Sequence, residues 1–111
     1  MEDTRYVVIL VTAGTSDEAR KIADVLLEKR KAACVSIVPG VSSRFWWRGR
    51  LDSAEESLLI VKTRASSLNE IITLVRETHS YEVPEIIALP VVGGNPDYLE
   101  WLDREVDQGY A

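Results

Sequence analysis

The chain contains a single histidine, His79, and a single cysteine, Cys34. Any Ser-His or Cys-His nucleophilic pair would therefore have to be built on His79. Two readings of that residue stand side by side. It is a candidate metal ligand, a role in which imidazole is common, or a histidine at a helix C-terminus, where the negative end of the macrodipole favours it. Cys34 sits between Ala33 and Val35, and a free cysteine among small apolar residues usually behaves as a buried hydrophobe. With no second cysteine there is no intrachain disulfide and no CxxC clamp for a soft metal. Carboxylates crowd two places: Asp52, Glu55 and Glu56, then Asp97, Glu100, Asp103, Glu105 and Asp107. Such density could collect hard cations, but it lacks EF-hand spacing and equally describes a solvated face.

Residues 44–50 read RFWWRGR. Basic and aromatic residues interleaved in this way could stack nucleic-acid bases, yet the net charge of −5 repels nucleic acid and anionic lipid at long range. Neither is expected as a partner. The adjacent Trp46 and Trp47 carry a different message. Side chains alternate across a strand, so the two rings must face opposite ways. A monomer of this size has nothing to cover both, and a buried tryptophan removes roughly 150–250 Å² from water. Self-association is the better account of an exposed aromatic hairpin; the rival is a tryptophan pair gripping a ligand in a cleft.

The elements that must position these residues alternate without a linker. The 111 residues, 46% apolar and 28% charged, make one domain, 1–111 with its core at about 6–106. No apolar run is long enough to span a membrane and no signal-like stretch follows Met1, so a soluble cytoplasmic protein is expected. Residues 6–12 (YVVILVT) form a continuous apolar, β-branched run that suggests a central strand buried on both faces. Thr15 and Glu18 have capping-box spacing, and the helix they open should run to about Lys31, with Ala19, Ile22, Ala23, Leu26 and Leu27 along its apolar stripe. Strand signals cover 33–38 and 41–48, interrupted by Pro39-Gly40, where a bulge suits the glycine. The chain turns back over 48–51, and 57–63 (SLLIVKT) is a third strand.

Ser67 and Glu70 repeat the capping-box spacing. Leu68, Ile71, Ile72 and Val75 then mark a helical face that His79 continues. Residues 85–92 form a fourth strand, which Pro90 assigns to an edge. Asn95 caps a short terminal helix with Pro96 in its first turn. The order βαββαβ plus a short C-terminal helix predicts an α+β, ferredoxin-like fold with an extended hairpin.

Five segments, in order, carry a resemblance: KRKAACVSIVPGV at 29–41, FWWRGR at 45–50, LLIVKTR at 58–64, HSYEVPEIIALP at 79–90 and GNPDYLEWL at 94–102. Together they resemble the CutA family of divalent-cation tolerance proteins, over about residues 7–106. The resemblance implies a homotrimer joined by its long hairpin strands, with the overall shape of the PII signalling proteins, located in the cytoplasm and serving tolerance to divalent metal ions. Cu(II) in particular, or another divalent cation, is the implied ligand, and none is needed for folding. Of the family's copper-linked positions, at the ends of the first strand and second helix, this chain has Val11, Thr78 and His79. Only His79 can ligate.

Three function classes follow. The first is a trimeric metal-tolerance protein, the second a PII-like small-molecule sensor with ligands in intersubunit clefts. For the sensor, Lys62, Arg64, Tyr81 and Glu85 are the expected contacts, although residues 12–15 have one glycine and no phosphate loop. The third is an acylphosphatase-type enzyme, suggested by residues 40–45 (GVSSRF). That loop would have to lie between the first strand and first helix, and here it follows the helix. No enzymatic activity is expected.

Overall fold

The computed structural model describes residues 5–106; Asp107, the last of the C-terminal carboxylates, lies outside them. Strand β1 (Tyr6–Ala13) leads into helix α1 (Ser16–Glu28), followed by β2 (Cys34–Trp47), β3 (Arg50–Arg64), α2 (Leu68–Thr78), β4 (Ile86–Pro90) and α3 (Pro96–Glu105). The four strands form one antiparallel sheet in the order β2-β3-β1-β4. This is the ferredoxin-like arrangement, with β4 on an edge as Pro90 requires.

One face of the sheet meets the helices. Val7, Ile9, Val11, Leu59 and Val61 are buried against Ala19, Ile22, Leu26, Ile71 and Val75. The opposite face is not covered to the same degree: β1 alternates between buried and half-buried along Tyr6–Leu10, and Ile87 and Leu89 of β4 are 50% and 47% exposed. The expectation that β1 is buried on both faces therefore fails for the isolated chain. An apolar run marks what a strand needs covered, not what its own chain supplies.

Helix α1 ends at Glu28, three residues short of the expected Lys31. Arg30 takes a left-handed φ of 59°, its amide donates to the Leu27 carbonyl at 3.0 Å and that of Lys31 to Leu26 at 2.9 Å, the pairing of a Schellman stop. The usual glycine is missing, so the stop left no mark in the sequence. Leu27, placed on the apolar stripe, is 38% exposed. At Ser67 the expected cap does not form: a 3-10 turn over Ala65–Ser67 precedes the helix and Ser67 makes no capping bond. Its presumed partner Glu70 instead reaches Lys31 Nζ at 2.9 Å.

The hairpin is longer than expected because β3 begins at Arg50, not at 57. Arg48 and Gly49 have φ of 51° and 76°, so the reversal is a two-residue turn of the mirror-image type whose twist matches the flanking strands. Pairing then runs from Trp47↔Arg50 down to Cys34↔Lys62, with one irregularity. Val38 pairs with Leu58 and Val41 with Glu56, so β2 carries one extra residue there. Gly40 accommodates the bulge with φ of 71°.

Candidate functional site

The chemistry-bearing residues converge where β1 ends, α1 begins and the segment after α2 crosses in front of them. His79 caps the C-terminus of α2, and its side chain is fully buried. Nε2 lies 2.6 Å from the Thr12 carbonyl oxygen. A carbonyl only accepts, so Nε2 carries the hydrogen. Nδ1 in turn accepts from the Tyr81 amide at 3.0 Å, because an amide N–H only donates. Glu18 Oε1 stands 3.4 Å from Nδ1. With the Nδ1 lone pair already on the amide, this contact is not an ion pair.

Glu18 has its own partner. Thr15 Oγ1 accepts from the Glu18 amide at 3.1 Å, the first half of the expected capping box. The carboxylate does not return to Thr15. Its Oε1 accepts from the Ser80 amide at 2.6 Å and its Oε2 from the Ser80 hydroxyl at 2.9 Å.

Next along the chain, Tyr81 packs its ring 4.7 Å from the His79 ring at a tilt of 50° and donates its hydroxyl to Glu56 Oε2 at 3.0 Å. Burial, and then the bond to Glu56, push the Tyr81 phenol above its ordinary pKa. Gly14 lies close by: a Cβ there would come within 3.2 Å of the Tyr81 hydroxyl.

Glu56 is the residue that the sequence concealed. Counted among the solvated carboxylates of the hairpin, it is only 7% exposed. A signal was present. Alternation from Leu58 and Ile60 places Glu56 on their face of β3, directly beyond Thr12↔Leu58.

A cleft of about 620 Å³ opens beside this network, between the hairpin and the segment leading to β4, with Phe45, Trp47, Glu56, Tyr81 and Glu85 among its walls. Trp46, on the other face of β2, is 73% exposed. Within one chain the four contacts expected of an intersubunit sensor site fall in two groups. Tyr81 and Glu85 line the cleft. Lys62 bonds to Ser36 and Arg64 pairs with Asp103 at 3.6 Å; from the register Tyr6↔Arg64 and Thr12↔Leu58, Arg64 lies six residues along β3 from the cleft end, about 20 Å away at the strand rise.

As a metal centre the donor set fits poorly. Both His79 nitrogens are engaged, and no three His, Cys, Asp or Glu side chains converge as ligands among the described residues. A metal ion could reach His79 only if one ring nitrogen gave up its partner.

Residues 7–105 match the family described as CutA1 divalent ion tolerance protein. The chain belongs to that family. Among its relatives are the "Divalent-cation tolerance protein CutA" of Thermus thermophilus, 45% identical over 95 residues, which cover 86% of this chain and 92% of that one, and rice "Protein CutA 1, chloroplastic", 45% identical over 96 residues. The chain spans about half of that rice relative (54%) and of the Arabidopsis one (53%). The crystal structure of rice CutA1 superposes with a TM-score of 0.92 at 40% identity, over 96% of this chain and 97% of that one. CutA from Archaeoglobus fulgidus, described as periplasmic, superposes with a TM-score of 0.89 at 42% identity, over 92% of this chain and 99% of that one. Chloroplastic and periplasmic CutA proteins thus share this fold. No helix among the described residues of this CutA chain is long and apolar enough to cross a membrane.

Proposed function

We propose that the chain serves divalent-cation tolerance as a homotrimer that binds rather than catalyses. The observation carrying the assembly is the uncovered apolar surface: Ile87 and Leu89 on the open sheet face, and the directly paired Trp46 and Leu51, 73% and 63% exposed, on the hairpin. Covering such a surface with copies of the chain removes a large apolar area from water. Three subunits of 12.4 kDa give about 37 kDa, and light scattering of the purified protein at micromolar concentration tests it. A monomer would overturn the assembly.

Direct capture of Cu(II) through His79 is a weak part of this reading, because its lone pair is already committed to the Tyr81 amide and Cu(II) prefers several N or O ligands. Copper titration of wild type and His79→Ala separates the cases: equal affinity removes copper from this helix end.

A second reading is supported by the cleft itself, a small-molecule sensor resembling the PII proteins. Its volume of about 620 Å³ falls within the range of ligand sites. Native mass spectrometry with nucleotides and metal ions tests for a bound ligand.

A further inference from the structure

The cleft beside Tyr81 has a definite electrostatic character. Asp52, Glu56, Glu82 and Glu85 contribute four carboxylates to its walls, against the single guanidinium of Arg44. Acidic residues alone would mean little on a protein of net charge −5. Glu56 is different, since it lines the cleft while only 7% exposed. Its Oε2 accepts from Tyr81. No buried side-chain oxygen among the described residues lacks a partner, so Oε1 keeps its contact with the water of the cleft, where the donor of a ligand can take that water's place.

The charge is spread, not focused. Because no three carboxylates converge as metal ligands among the described residues, a compact divalent ion would meet too few oxygens at once. The aromatic rings of Phe45 and Trp47 share the same cleft, and an aromatic face attracts an ammonium group while its aliphatic stem packs on the ring. Ammonium supplies three donors, enough for Glu56 Oε1 and a neighbouring carboxylate.

We propose that this cleft binds an aliphatic di- or polyamine, with one ammonium on Glu56 and the chain along Trp47. The proposal rests on the sensor reading and narrows it to an organic cation.

Calorimetric titration of the intact assembly at moderate salt, with 1,5-diaminopentane and spermidine as probes, tests it; 1-aminopentane, 1,5-pentanediol, magnesium and ATP are the comparisons. The diamine should bind more tightly than the monoamine, and the diol, magnesium and ATP should not compete. Glu56→Gln, which keeps an acceptor for Tyr81, should weaken diamine binding about tenfold or more, the loss of a charge-assisted bond. Trp47→Leu should weaken it roughly threefold. Asp24→Asn with Glu28→Gln, an equal or larger charge change on the exposed side of α1, should leave it unchanged.

Diamine binding that falls with the α1 pair and not with Glu56→Gln would overturn the proposal in favour of diffuse charge attraction. If ATP binds in a Trp47-dependent way and diamines do not, the sensor reading survives and the cationic ligand is wrong. If no probe binds, both fall together.

Discussion

Glu18 holds Ser80 twice, by the backbone amide at 2.6 Å and the hydroxyl at 2.9 Å, across 62 residues of sequence. An acidic side chain in the first turn of α1 thus fixes the segment that carries His79 and Tyr81. The helix start and the site wall are one construction, and the amides of that first turn add a favourable field for the carboxylate.

Glu18→Ala should therefore destabilise the fold by about 1–3 kcal/mol, the usual cost of leaving donors without a charged acceptor. Urea denaturation measures it. A change within a few tenths of a kcal/mol would mean that water replaces the carboxylate without loss.

His79→Phe should be more costly than its apolar character suggests. The ring would fill the buried site but leave the Thr12 carbonyl and Tyr81 amide without partners, a cost of about 2–5 kcal/mol for the pair. A variant as stable as wild type would show that His79 is not a structural pivot.

Tyr81 should lose its proton late in an alkaline titration followed by tyrosinate absorbance. Its folded pKa lies above the ordinary value of 10.0, through burial first and the Glu56 bond second. The sign follows from linkage: an acid whose pKa is raised by folding holds its proton more tightly when folded, so its contribution is present below pH 10 and disappears as pH rises through the folded value. Tyr98 is also raised, by burial and then by Cys34, so Tyr81→Phe should remove one of the two late phenols among the described residues. An unchanged curve would contradict the Glu56 contact.

The two tryptophans should respond differently to truncation. Trp46→Ala removes a ring paired with Leu51 on the exposed face and should weaken self-association by roughly 3 kcal/mol if a subunit covers it, read as dissociation on dilution. Trp47→Ala should leave the assembly intact and alter only the cleft. Equal effects would mean that the interface does not distinguish the two faces.

The alternation of apolar runs was enough to read the element order and the opposed tryptophans from the sequence, and Pro90 the edge position of β4, because those depend on local signals. What stayed hidden depended on contacts distant in the chain. Arg30 adopts the left-handed stop of α1 without a glycine, and its guanidinium reaches Glu105 at 2.8 Å; neither fact has a local signature. Glu70 abandons its cap for Lys31, and Glu56 looked like part of a charged turn until Tyr81 covered it. His79 was correctly placed at a helix end, but its two partners, at Thr12 and Tyr81, lie on different segments.

The single extra residue of β2 between Val38 and Val41 acts as a frame shift in the pleat. Before it, the even-numbered Ser36 and Val38 share a face with Ile60 and Leu58; after it, the odd-numbered Val41 and Phe45 share a face with Glu56 and Asp52. Were Pro39 and Gly40 both taken into the ladder, Phe45 would fall opposite Leu51 and Trp46 opposite Arg50, so the face of Glu56 would carry Trp46 and lose Phe45 and Trp47. The one unpaired residue is what sets both of those rings beside the cleft.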